Sequence, residues 1–255
     1  MSSDESFPVP PWSAAATRGR AASATESAPA KAPLTRVAIV AAALELLDAD
    51  GLDGVSMRRV AQKLETGPAS LYQHVGNKDE LLEAVLDRVC AAIDVPAPGA
   101  GPDGWQEPLK ELLRRMRKVI GAHQDLAYIM LGRVPTGPNA LAGAEGMLAI
   151  LDAGGITGRL AAQTVDLLAL FVASVTYEDA IRRRLIGTVQ EAEVYVEQVG
   201  AYLRALPGDR FPMLNRLADV LTTFDEDTED AGFEFALDVQ IRGIAALAAQ
   251  ARAAG

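Results

Sequence analysis

Cysteine, histidine, aromatic residues and positive charge are all scarce in this chain. Of its 255 residues one is cysteine, two are histidine and 5% are aromatic. A single thiol, Cys90, cannot close an intrachain disulfide, so the fold does not depend on an oxidising compartment. His74 and His123 form no HExxH pair, cysteines for zinc are missing, and there is no glycine-rich phosphate loop. These gaps predict no metal, no cofactor and no enzyme. The carboxylates of Glu178-Asp179 and of Asp225 to Asp230 read as solvated faces or loops rather than catalytic dyads. Lys and Arg number 24 against 34 Asp and Glu, a net charge of -10, which repels a polyanion wherever the cations do not cluster. The longest apolar run, Leu167 to Val175, is about half of the roughly 20 residues that cross a bilayer. The opening "MSSDESFPVP" is acidic where an export signal needs a basic start. A soluble, cytoplasmic protein without a membrane partner is expected.

What is present is helical patterning. Hydrophobic residues make up 49% of the chain, enough for a substantial core. Residues 1 to 33, rich in Ala, Ser and Pro, show no sustained apolar period and read as a disordered tail. Arg18 and Arg20 in that tail would solubilise it, with insertion into a minor groove the lesser reading. From Leu34 onward no alternating β-branched run occurs, so the fold is predicted to be all-α. Residues 34 to 90 form one expected domain. The segment "DVPAPGAGPDG" is a linker, and residues 100 to 255 form a second, larger domain.

In the first domain, a helix over Thr35 to Asp50 would bury Val37, Val40, Ala41, Leu44 and Leu47 and stop at Gly51. Ser56 is placed to cap a second helix that buries Val60, Ala61 and Leu64. A third begins at Gly67-Pro68 and runs two turns to Gly76. On its wheel Leu71 lies near Val75 and Pro68, while Ala69 and Gln73 point the opposite way, flanked by Ser70 and Tyr72. Asn77 and Glu80 have capping-box spacing for a fourth helix. Around this unit, within Val55 to Lys78, Arg58, Arg59, Lys63 and Lys78 face only Glu65, a local surplus of +3. Such a helix, turn and short second helix is the arrangement that enters a major groove. A packed three-helix cluster with a solvated polar face fits the pattern alone equally well.

The residues themselves add to the pattern. The order "ALELLDADGLDGVSMRRVAQKLETGPASLYQHVGNKDELLEAVLDRV" resembles the DNA-binding domain of the TetR family of transcriptional regulators, with landmarks at Ala43-Leu44, Leu47, Gly51, Gly54, "RRVAQKL", "SLYQHV" and "NKDELL". It departs at Glu65, where a glycine is usual, and at Met57, where many members have a phosphate-reaching Thr. The resemblance implies a dimeric regulator, most simply a repressor, that a small-molecule effector releases from a palindromic operator on double-stranded DNA. A DNA-binding or architectural protein without ligand sensing is the alternative. Base contacts are expected from Arg58, Ala69, Ser70 and Gln73, since Arg suits guanine, Gln suits adenine and Ala can touch a thymine methyl. Phosphate contacts are expected from Ser56, Tyr72, His74 and Lys78. A partly buried structural role is the competing reading of Tyr72.

Beyond the linker, helices are predicted at about 105–123, 137–153, 158–185, 189–206 and 232–252. "MLGRVPTGPNAL" and "FEFALDVQIRGIAAL" resemble the effector domain of the tetracycline-repressor branch. Trp105, Met116, His123, Met130, Met147 and Phe171 are the candidate pocket residues, each of which also suits an ordinary core. Met130 stands where that branch has a metal-holding histidine, and a thioether is a poor ligand for a hard cation. The expected effector is therefore more apolar than magnesium-chelated tetracycline. The last helix carries two apolar stripes, one of Phe233, Leu237, Ile241, Ile244 and Leu247, the other of Phe235, Val239 and Ala246. A helix apolar on two faces needs two partners. The resemblance implies a four-helix dimer interface, to which Leu168, Val172, Phe235, Val239 and Ala246 are assigned.

Overall fold

A computed structural model describes residues 33–99, 101, 103–186, 189–223 and 226–254. The tail expected over residues 1 to 33, with Arg18 and Arg20, lies outside the described residues except for Pro33. Every regular element among the described residues is a helix: α1 (Arg36–Gly54), α2 (Met57–Lys63), α3 (Pro68–Leu71), α4 (Lys78–Cys90), α5 (Gln106–Gly121), α6 (Leu126–Met130), α7 (Pro138–Ala153), α8 (Gly158–Ile186), α9 (Val189–Ala205), α10 (Pro212–Arg216), α11 (Ala218–Leu221) and α12 (Glu226–Ala254). The five helices predicted beyond the linker are present. The short α6, α10 and α11 were not expected, because four or five residues are too few for a helical period to show.

The helix starts in the first ninety residues follow local chemistry. Thr35 accepts a hydrogen bond from the Ala38 N–H at 3.1 Å, and Gly51, with φ of 69°, kinks α1 where a side chain would be strained. Ile39, Val40, Ala43 and Leu47 form the buried stripe of α1, and Val37, expected in the core, is exposed. Its offset of two residues turns it about 160° from Ile39, past the edge of that stripe. In α4, Leu81, Leu82, Val85, Leu86 and Val89 are buried, each such side chain contributing about 1.5–3 kcal/mol. The apolar core continues from α1 to α4 through Ile120, Leu126, Ala127 and Ile129 of α5 and α6. The first four helices therefore share their core with the helices that follow the expected linker.

The described chain groups into two compact units that divide inside α8, after Tyr177. In the first, α8 presents a buried row of Thr164, Leu168, Val172 and Thr176 at four-residue intervals. It approaches α5 closely at Gly121, where an added Cβ would lie 3.3 Å from the Thr176 methyl. In the second, α9 packs on α10 and α11, and Asn215 of α10 donates to the Arg204 carbonyl at 2.7 Å. Asp179 is buried rather than solvated, because it falls one turn beyond Thr176 on the buried row of α8. Its neighbour Glu178 pairs with Arg182 at 2.9 Å. Over Gly158–Leu185, α8 has the length and mean hydropathy, 1.5, that suffice by composition to cross a membrane. Core helices of soluble proteins share that property, which the short run Leu167 to Val175 understated.

Candidate nucleic-acid interface

Two side chains anchor α3. Leu71 and Val75 are fully buried, and Ala69 and Gln73 are exposed on the side the wheel predicts. Gly67 takes the N-cap position and Pro68 the first helical one, where its missing N–H leaves no bond unmade. Regular helix stops at Leu71, short of the two turns expected. The chain then tightens, and His74 and Val75 both donate N–H to the Leu71 carbonyl at 2.9 Å. A clasp holds this end in place. Arg36, at the start of α1, donates to the His74 carbonyl at 3.2 Å and to Glu80 Oε1 at 2.9 Å. Glu80 Oε2 accepts the Gly76 N–H at 2.7 Å. Half of the expected capping box forms: Asn77 Oδ1 accepts the Glu80 N–H at 2.8 Å, but Glu80 reaches back one residue further, to Gly76.

Beside α3, Ser56 caps α2 by accepting the Arg59 N–H at 3.2 Å, which leaves its hydroxyl hydrogen to donate elsewhere. Arg58 is exposed, whereas Met57 is buried in the core and does not stand in for a phosphate-reaching Thr. The surplus of +3 is partly compensated from α1. Arg59 pairs with Asp50 at 2.5 Å and Lys63 with Glu45 at 2.8 Å. Tyr72 is 48% exposed, which suits both a phosphate contact and the partly buried structural role. His74 and Lys78 are half-buried, and Lys78 Nζ donates to the Leu52 carbonyl at 3.1 Å.

One face of α4 ties the reading head to the next helices. Asp79, Glu83 and Asp87 stand at successive four-residue intervals, so they line one face. Arg133 donates to Asp79 at 2.9 Å, and the Thr136 hydroxyl donates to Glu83. Asp87 accepts the Asn139 N–H at 2.9 Å, the Asn139 side-chain amide at 2.9 Å and the Ala140 N–H at 3.0 Å. It thereby caps α7, whose own N-cap, Gly137, has no side chain to do so. A Cβ at Gly137 would lie 2.2 Å from Asp87 Oδ1, so the close approach requires glycine. Burial, and next the Asp87 charge, push the Cys90 thiol up to about 11, which keeps it inert at neutral pH.

The model of the tetracyclin repressor-like C-terminal domain matches residues 96–248, and that of bacterial regulatory proteins of the tetR family matches residues 39–85. The chain belongs to the TetR family. The HTH-type transcriptional repressor DrrR1 of Streptomyces coeruleorubidus is 33% identical to it over 87% of this chain and 81% of DrrR1. Apo ActR from Streptomyces coelicolor has a TM-score of 0.77 at 44% identity, covering 87% of this chain and 100% of ActR. ActR in complex with actinorhodin has a TM-score of 0.76 at 44% identity, covering 84% and 96%. The all-α fold, the helix-turn-helix class and the regulatory role expected from sequence are those of the TetR family.

The six residues expected to contact an effector all lie in the first unit, on or beside α5, α6, α7 and α8 of this TetR-family chain. Trp105 is buried at the start of α5 with its ring against Gly154, where a Cβ would lie 2.2 Å away. Met147 is buried within α7, and Met116 and Phe171 are half-buried. His123 turns toward α1, its Nδ1 3.0 Å from Asp48, and Met130 packs on the core that joins α1–α4 to α5 and α6. None of the six lines the groove of about 990 Å³ in the second unit, which Ile181, Leu185, Val194, Tyr195, Val199 and Leu221 line. Two dimer assignments are corrected. Leu168 and Val172 are fully buried within the single chain, and the exposed apolar residues of this part of α8 are Leu167 and Leu170. On α12, Phe235, Val239 and Ala246 are exposed as expected, and Leu247, assigned to the inner stripe, joins them.

Sequence reasoning missed Arg36, Asp87 and Asp125. Each acts on a residue far away in sequence, which no local pattern signals. The one hint was a helix start at Gly137-Pro138 with no capping side chain of its own.

Proposed function

We propose that this protein is a homodimeric repressor that reads an inverted repeat with α3 and leaves it when a small molecule binds the helical domain. The observation that carries the reading is the exposure of Ala69 and Gln73, with Arg58 alongside, on a helix locked from behind by Leu71 and Val75. Arg58, Ala69, Ser70 and Gln73 then choose bases, and Ser56, Tyr72, His74 and Lys78 hold phosphate. A twofold dimer sets the two heads about one helical turn apart. The second subunit covers the exposed stripe of α12, and Leu167 and Leu170 replace Leu168 and Val172 as the α8 contacts. Release requires an effector with different affinities for two conformations. Any shift of the 133–140 segment reaches α4 through Asp79, Glu83 and Asp87. No catalytic step enters this cycle.

Because ActR, at 44% identity, is found in complex with actinorhodin, actinorhodin is the first effector to try. Met130, in place of a metal-holding histidine, argues against magnesium-chelated tetracycline. The deciding experiment selects bound fragments from random DNA and then adds actinorhodin, or tetracycline with magnesium, to the complex. An inverted repeat is expected. Gln73→Ala should relax one position of each half-site, at a cost of about 1–3 kcal/mol. An unchanged selected motif for Gln73→Ala would remove the base assignment. Release by tetracycline with magnesium, and not without it, would reverse the effector assignment. Binding insensitive to every small molecule tried would favour the non-sensing alternative.

A further inference from the structure

Asp125 is a buried carboxylate in an uncommon backbone state. It is 8% exposed and has φ of 56° in the corner between α5 and α6, a left-handed conformation that a residue with a side chain adopts under constraint. Although it sits at the N-cap of α6, it makes no side-chain cap there. Its Oδ2 accepts instead the N–H of Leu52 at 2.9 Å, across 73 residues. Leu52 follows the kink at Gly51, where the α-helical ladder of α1 is interrupted. The carbonyl of the same Leu52 accepts from Lys78 Nζ at 3.1 Å. One turn earlier, His123 Nδ1 lies 3.0 Å from Asp48, so the same corner grips α1 twice.

We propose that Asp125 is a positioning residue for DNA binding, which fixes Leu52 and, through the Leu52 carbonyl, the place of the Lys78 ammonium. An ammonium has three N–H donors. One is spent on Leu52, and the other two are left for a phosphate at a set point in space. A flexible lysine thus becomes an aimed one, and its aim is held from the α5–α6 corner together with the head's own Val55 N–H, which donates to the same Leu52 carbonyl at 3.2 Å. The inference rests on the reading of Lys78 as a phosphate contact.

The test is the salt dependence of binding by the full-length protein to a duplex of arbitrary sequence, where phosphate contacts set the slope. Lys78→Ala is expected to lower the slope by about 0.9 for each subunit. Asp125→Gly keeps the left-handed backbone and removes the carboxylate. It should lower the slope by a similar amount and add nothing in the double variant with Lys78→Ala. Asp125→Asn retains an acceptor oxygen and should keep the slope. Circular dichroism checks each fold. If Asp125→Gly loses its helical signal, Asp125→Ser takes its place, since its hydroxyl is one bond too short to reach Leu52. A slope unmoved by Lys78→Ala would overturn the phosphate reading and this inference together. A slope lowered by Lys78→Ala and unmoved by Asp125→Gly, or two additive losses, would overturn the role of Asp125 alone.

Discussion

The reading head, α1 to α4, largely supplies its own ends, whereas five of the helices after it do not, and one of those, α7, borrows its cap. Thr35, Ser56 and Asn77 each cap the helix they precede. The starts of α5, α6, α7, α10 and α11 have no side-chain bond from their own N-cap. The start of α7 is capped by Asp87 of α4 instead. Faces divide differently. The core around Leu71, Val75, Leu81 and Val85 runs on into α5 and α6 through Ile120, Leu126 and Ile129, while Phe235, Val239 and Leu247 of α12 stand uncovered in the single chain. A head that shares its core with α5 and α6 and lends a cap to α7 cannot shift apart from them, and α7 cannot move without pulling on α4.

The uncovered face gives the largest expected effect. Val239→Glu should yield a helical monomer, because like charges would face each other across a twofold interface. Operator affinity should fall at least tenfold, about 1.4 kcal/mol. Leu168→Glu places the same charge at a fully buried position and should instead unfold the chain. Light scattering and circular dichroism on both variants separate the two results. A tight helical dimer from Val239→Glu would show that the subunits meet elsewhere.

Borrowed and local caps differ in size. Asp87→Ala strips two backbone N–H groups of α7 and one side-chain amide of their acceptor, and should cost about 2–3 kcal/mol of stability. Ser56→Ala removes one local cap bond and should cost about 1 kcal/mol. Denaturant midpoints measure both. Equal losses would mean that the borrowed cap is no more than a local one placed far away.

The same division decides what could be read in advance. Thr35, Ser56, Gly51 and the Gly67-Pro68 start announce their elements by residue type alone, and the exposed pair Ala69 and Gln73 followed from the wheel of Leu71. Arg59 and Lys63 looked free because Asp50 and Glu45 lie on another helix. Leu168 and Val172 read as outward because the stretch Leu160 to Val175 is apolar almost all round, so composition could not distinguish its inner row from Leu167 and Leu170. His123 and Met130 suit a pocket by residue type, and only tertiary packing shows that His123 faces Asp48 of α1 and that Met130 packs on the core shared by α1–α4 with α5 and α6.

The smallest effect lies in the head's one local exception. At the end of α2 the Thr66 N–H bonds to the Ala61 carbonyl at 2.9 Å and the Glu65 N–H to the Gln62 carbonyl at 3.0 Å, the paired bonds of a Schellman stop. Glu65 fills the left-handed position of that stop, with φ of 49°. A residue with a side chain is strained there by about 1–2 kcal/mol, while glycine has about 0.5–1 kcal/mol more backbone entropy to lose on folding. Glu65→Gly should therefore stabilise the protein by a net of about 0.5–1 kcal/mol, with both stop bonds kept and the exposed Ala69 and Gln73 untouched. A denaturant midpoint that rises at unchanged slope is the expected result. A midpoint that falls would mean that the Glu65 side chain holds the turn more strongly than its backbone resists it.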